Sequence, residues 1–262
     1  MIAEVAWRMC DDGIKGMLCS QYEVCDLDDM KTFTALPDLH KHNSKFLKYF
    51  PLHFYNNELD NPPEKCKISL RDALYAPTPN ILQAVLKVLS KPKLEFVEMS
   101  YLLHLVSDLH QPLHLTGFER GGLNRKLCSA TTQECWSLHA LWDAEILKSI
   151  TAPTSFKKVN TRNIRKRLLL QFRKSNRLLC KIYKFNSEMS LEYYKTTFGP
   201  LAARIILEAG EMVAAVLAHT LEMSTFNSAA DFDREISRKC KRRGKALIFR
   251  IKQVDSKCRF CR

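Results

Sequence analysis

The chain has 262 residues, of which 46% are apolar and 26% charged, a globular balance with length enough for one large core or two small ones. Its 41 Lys and Arg against 28 Asp and Glu leave a net charge of +13, which favours phosphate-bearing or anionic partners. No apolar run reaches the roughly 18 residues of a membrane span, and the opening MIAEVAWRMC lacks the basic start and long apolar stretch of an export signal.

In chain order, residues 1–20 are expected to be helical, with Ile2, Val5, Ala6 and Met9 at helix spacing. DLDD and ALPDLHKHN then predict a loop rich in Asp and Pro, and YFPLHFYNNELDNPPEK (49–65) is irregular by its prolines and asparagines. NILQAVLKVLSK (80–91) is a helix opened by a Pro-rich turn. KLEFVEMSYLLHLVSDLHQ (93–111) is expected to be a long helix, ended by Pro112. GFERGGLNRK (117–126) is a glycine loop, WSLHALWDAEILKSI (136–150) a further helix, and 151–165 a polar connector. Two or more basic helices follow to Tyr194, then an apolar helix near 198–222; its Arg204, Glu208, Glu211 and His219 make it a core helix rather than a membrane span. No alternating strand pattern stands out, so the fold class is all-α. From Asp231 to Arg262, twelve Lys or Arg face four Asp or Glu, a basic tail that is either solvated or binds nucleic acid.

The ten cysteines lean toward disulfides and an oxidising compartment. Cys128 and Cys135 flank a short loop and can pair; Cys258 and Cys261 form a single CxxC, too little for a zinc ribbon.

The chemistry concentrates in HLVSDLHQPLH (104–114). His104 and Asp108 are four apart and share a helix face, His139 and Asp143 repeat that spacing, and His114 lies just past the Pro112 break. Each pair alone reads as an ordinary hydrogen bond, and each histidine alone as a satisfied core residue. Five such groups within forty residues of otherwise apolar sequence point instead to metal, because unpaired burial would cost several kcal/mol apiece and neutral imidazole with carboxylate is a zinc-binding set.

HLVSDLHQPLH, then ERGG, then LHALWD resembles the zinc-dependent S1/P1 nucleases, a family of single-strand nucleases and 3'-nucleotidases. The resemblance implies a single all-helical domain of the phospholipase C/P1 nuclease type with a trinuclear zinc cleft, spanning 1–225, followed by the basic tail 226–262. It extends upstream, where Asp38 in ALPDLHK lies fifteen residues before His53 in PLHFYN. By this likeness Asp38, His53, His104 and Asp108 hold one Zn2+, His114, His139 and Asp143 hold another, and Asp108 bridges to a third. Asp108 and Lys41 would be the catalytic groups, Lys41 assisting charge on the phosphoryl oxygens. Phe54 would stack on a base, although core packing explains it equally well. Asn56 would bond a base edge. His110 is expected to support the ligands rather than be one. Single-stranded DNA or RNA and 3'-nucleotides are the implied substrates, and a secreted or endomembrane-lumenal monomer the implied form. The rival readings are a zinc-dependent phospholipase C-like enzyme and a non-catalytic, zinc-stabilised nucleic-acid-binding protein.

This sequence departs from the family pattern in several places. Lys41 stands where Arg is usual and lacks its bidentate fork. Asn56 replaces an Asp, and both donates and accepts. Leu123 replaces an Asn after Gly121 and Gly122. The third zinc of the family is completed by an amino-terminal Trp and a His five residues later; IAEVA (2–6) resembles the helix that follows that His, and neither ligand is in the sequence given. Turnover is therefore expected to be weak or absent, and a leader ending in a mature Trp with a His five residues on is expected to raise it sharply. An unchanged rate in that extended chain would mean that the loss is natural or that the register is wrong.

Overall fold

The computed structural model describes residues 1–40, 51–149, 156, 159–184 and 189–225. Helices dominate them: α1 (Ile2–Met9), α2 (Asp12–Tyr22), α3 (Leu27–His40), α4 (Leu70–Leu74), α5 (Ile81–Leu89), α6 (Phe96–Asp108), the short α7 (Leu138–Ala140), α8 (Ile164–Ile182) and α9 (Leu191–Thr225). One small antiparallel hairpin, β1 (Lys126–Cys128) with β2 (Cys135–Ser137), is present. The all-α expectation holds.

Several elements differ from the sequence reading, each for a local reason. The helix expected over 1–20 is two helices, because Asp11 turns extended and its carboxylate accepts from Ile14 N to start α2 afresh. The loop expected through ALPDLHKHN is mostly α3. Asp26 caps its first turn through Asp29 N, and Met30, Phe33, Leu36 and Pro37 form its buried stripe. Pro37 cannot donate to the Phe33 carbonyl four residues back; the Ser100 hydroxyl of α6 takes that carbonyl instead, at 2.6 Å. The segment 136–150 is not a regular helix: strand β2 runs into α7, a π-helical turn (Leu141–Glu145) and a 3-10 turn (Ile146–Ser149). A three-residue strand is too short to show alternation, so β1 and β2 carried no sequence signal. Among the described residues the two or more basic helices are the single α8, and Tyr194 already belongs to α9.

Two apolar clusters organise these elements. The larger joins α1, α3, α5, α6 and α9 through residues such as Ala6, Phe33, Val85, Leu102 and Val213. Residues 213–218 of α9 are buried on every side, as a central helix requires. The smaller joins Leu113, Leu138, Leu141 and Trp142 to Leu179 and Ile182 of α8 and Tyr194 and Phe198 of α9. Trp142 Nε1 donates to the Tyr194 hydroxyl at 2.9 Å, which donates to Ile182 O at 3.0 Å. Disulfides join Cys19–Cys25, Cys66–Cys180 and the expected Cys128–Cys135. Cys10 is a buried free thiol, pushed up to about 12 by burial. Cys240, Cys258, Cys261 and the basic tail lie outside the described residues.

Helices α1 and α9 approach closely at Gly210, where an added Cβ would collide with the Val5 side chain. Gly210→Ala is therefore expected to destabilise the fold by about 1–3 kcal/mol through overpacking. Combining it with Val5→Ala should cost less than the sum of the two single changes. Urea denaturation of the four proteins measures that coupling; strict additivity would show that this contact is not tight.

Candidate metal centre

Helix α6 delivers His104 and Asp108 on one face of its last two turns. The chain then turns at Gln111 into a 3-10 segment (Pro112–Leu115) that begins with Pro112; the Gln111 side chain accepts from Leu113 N at 2.5 Å. This reversal swings His114 back beside Asp108. The loop carrying His53 is fastened to the same segment by Tyr55 N donating to His114 O at 2.8 Å. His139 and Asp143 keep their pairing across the change from α7 to the π-helical turn, with Nε2 and Oδ2 3.1 Å apart.

Asp108 Oδ2 is the hub. It lies 3.0 Å from His53 Nδ1, 3.2 Å from His104 Nε2 and 3.7 Å from His114 Nδ1. Around it stand two groups, Asp38 with His53 and His104, and His114 with His139 and Asp143; within each, the ligand atoms lie within 4.8 Å of one another. The set of four imidazoles and three carboxylates, drawn from separate segments, fits divalent cations in donor type and in spacing.

Backbone carbonyls hold the rings. His104 Nδ1 donates to Thr34 O at 2.9 Å, His114 Nδ1 to His53 O at 2.7 Å and His139 Nδ1 to Gly121 O at 2.8 Å. A carbonyl only accepts, so each of these rings carries its proton on Nδ1 in the neutral form and turns an Nε2 lone pair toward the site. The Thr34 contact explains why α3 matters, since it seats Asp38 and orients His104 together.

The electrostatics match. Burial works against charge at His104, yet the Asp108 and Asp38 carboxylates outweigh it and raise the imidazole to about 9. Burial likewise opposes charge at His114, and Asp108 and Asp143 raise it to about 10. Burial would raise both carboxyls, but His104 and His114 hold Asp108 well below the usual carboxylate range, and His114 and His139 do the same for Asp143. The cluster attracts positive charge, supplied either by protons or by a cation that displaces them.

ERGG forms the floor beside His139. Glu119, Arg120, Gly121 and Gly122 all have positive φ, at 48°, 56°, 65° and 80°. A Cβ on Gly121 would come within 2.9 Å of Leu113 O, so this turn needs glycine both for its conformation and for its approach to the His114 segment. The cleft so formed encloses about 630 Å³, a volume suited to a small ligand. Its lining combines these polar groups with aliphatic side chains, among them Ile2, Leu147, Ala202, Ile205 and Ile206.

Phe54 and Asn56 both line the cleft, Phe54 half-buried and Asn56 exposed. His110 is buried and belongs to neither ligand group; its Nδ1 donates to Val106 O at 2.7 Å. Burial lowers His110 to about 4. Lys41 and His42 lie outside the described residues. Two residues escaped the sequence reading. Gln111 Nε2 donates to Asp143 Oδ1 at 2.8 Å and orients that carboxylate; its place just before Pro112 was the available signal. Arg120 is the one Lys or Arg among the described residues that line the cleft, and nothing in composition or spacing marked it.

A family model described as S1/P1 Nuclease matches residues 1–222. No curated protein matches the chain.

His139→Ala is expected to abolish binding of one divalent cation and spare the other, while Gln111→Ala weakens the same site about 10–100-fold. Elemental analysis after equilibrium dialysis reads both. Equal loss of both cations in His139→Ala would mean that the two groups do not bind independently.

Proposed function

The chain belongs to the S1/P1 nuclease family, and from that premise we propose that it is a zinc-dependent phosphodiesterase. It hydrolyses single-stranded nucleic acid to 5'-phosphorylated products, and 3'-nucleotides to nucleoside and phosphate. One observation carries this reading: Asp38, His53, His104, His114, His139 and Asp143 gather in two groups about Asp108 within a single cleft. Asp38, His53, His104 and Asp108 would hold one zinc, and His114, His139 and Asp143 another. Bound zinc supplies a Lewis acid and a water whose pKa falls to about 7.

The remaining work belongs to the side chains. Asp108, between the two groups, keeps its charge and aligns three imidazoles. Carbonyl bonds to His104, His114 and His139 keep their donor nitrogens aimed without reorganisation when substrate arrives. Arg120 offers a planar fork to phosphate oxygens, and Lys41 adds a second cation. Phe54 presents a ring on which a base can stack without sequence preference, and the Asn56 amide can both donate to and accept from a base edge. The helical domain of this reading spans 1–225, with 226–262 as an appended basic tail, and the protein acts as a monomer. Three disulfides support secretion or residence in an endomembrane lumen, and no helix among the described residues is long and apolar enough to cross a membrane.

The aliphatic side chains in the cleft lining favour a second reading, a phospholipase C-like enzyme acting on a lipid phosphodiester. Zinc-loaded protein incubated with single-stranded oligonucleotide, duplex DNA, a 3'-nucleotide and phosphatidylcholine vesicles separates the two. Cleavage of the oligonucleotide and 3'-nucleotide is expected, lost on chelation. Arg120→Ala should raise KM for the oligonucleotide about tenfold, and Asp143→Asn should reduce kcat/KM at least 100-fold. Diacylglycerol release with intact oligonucleotide would establish the lipid reading, and tight binding without cleavage would identify a non-catalytic protein.

A further inference from the structure

Helix α8 carries seven Lys or Arg and no Asp or Glu in IRKRLLLQFRKSNRLLCKI. Its two faces are sharply divided. Ile164, Leu168, Phe172, Ser175, Leu179 and Ile182 are buried. Lys166, Leu170, Arg173, Arg177 and Lys181 recur at intervals of four, three, four and four residues, so they align along the opposite face, and all five are exposed. Lys174, off this line, is paired with Glu208 of α9, and Arg167 donates to Asn160 O. The four aligned cations have no ion pair among the described residues. At 1.5 Å per residue they span about 22 Å, enough to meet several successive phosphates.

The buried face of the same helix grips the metal-centre segment. Ser175 Oγ donates to His110 O at 3.2 Å, and Asn176 Nδ2 donates to Leu115 O at 3.3 Å and to Asp60 Oδ2 at 2.7 Å. The outer stripe is therefore rigidly joined to the segment that bears His114. A row of unpaired cations with one apolar side chain among them is the pattern that follows a sugar-phosphate backbone while leaving a contact for a base.

We propose that the outer face of α8, through Lys166, Arg173, Arg177 and Lys181 with Leu170 between them, is a docking track for the backbone of single-stranded nucleic acid, separate from the cleft. The proposal takes its choice of polyanion from the nuclease reading. It makes the protein a better binder of polymers than of mononucleotides, because a mononucleotide reaches the cleft alone.

The test compares the full chain with K166Q/R173Q/R177Q/K181Q and with a control of equal charge loss, K65Q/K67Q/K87Q/K93Q, all at exposed positions. Glutamine preserves helix propensity, and unchanged melting temperatures confirm folding. Binding of a fluorescent single-stranded 20-mer is followed by anisotropy in EDTA, so that cleavage plays no part, at a series of salt concentrations. Each phosphate contact on a single strand contributes about 0.7 to the slope of log K against log salt. The α8 variant should lose about 2–3 from that slope and bind at least tenfold more weakly at low salt, while the control changes little. Hydrolysis of a 3'-mononucleotide by the zinc-loaded α8 variant should equal that of the parent. An unchanged slope, or equal losses in variant and control, overturns the track. Loss of binding to phosphatidylserine vesicles with oligonucleotide binding intact overturns it too, in favour of a membrane surface. A parent chain that binds strands through α8 but hydrolyses nothing would refute the catalytic reading and leave the track standing.

Discussion

The Asp108 carboxylate, 14% exposed, lies against imidazole nitrogens from three segments, at 3.0 Å from His53, 3.2 Å from His104 and 3.7 Å from His114. Two unit charges 4 Å apart interact by about 4 kcal/mol at an effective dielectric near 20, so a cluster of three carboxylates cannot be gathered there without compensating positive charge. The same carboxylates raise His104 and His114, so the cluster favours added positive charge, which a divalent cation can supply. A site under this tension disperses unless a stiff frame opposes it.

That frame is visible element by element. Helix α3 continues past Pro37 because Ser100 accommodates the freed Phe33 carbonyl, and the next residue, Thr34, offers its carbonyl to His104. The four consecutive positive-φ residues of ERGG are costly for Glu119 and Arg120. They persist because the turn they make brings Gly121 O to His139 and lets the loop pass close to Leu113. Trp142, Tyr194 and Ile182 tie the π-helical turn that carries Asp143 to α8 and α9. Packing thus holds in place what charge alone would push apart.

The charge pattern has two levels. Inside the cleft, Asp38, Glu58, Asp108 and Asp143 make the lining acidic, with Arg120 its one Lys or Arg among the described residues. Outside, the chain is strongly basic, and α8 concentrates that surplus on one face. An acidic, cation-seeking interior within a basic exterior suits a phosphodiester polymer. In the proposed reading the exterior would gather the strand, and the interior would become attractive to phosphate only once metal is bound.

The sequence alone carried the all-helical class and named the residues of the two candidate clusters. Helix periodicity and the i, i+4 spacing of His104 with Asp108 and His139 with Asp143 are local properties, and the likeness in HLVSDLHQPLH, ERGG and LHALWD extended them to Asp38 and His53. Boundaries set by tertiary contact were not legible. Pro37 reads as a helix breaker until Ser100 is seen beside Phe33 O, and WSLHALWDAEILKSI reads as one α-helix until the hairpin and the Trp142 anchor distort it. Arg120 lies within ERGG and Gln111 just before Pro112, but what each of them faces depends on where the chain folds back, which no spacing records. Residue types determine which groups can bind a cation; only the packing of α3, α6, α8 and α9 decides that they meet, because coordination is a condition on distance in space and not along the chain.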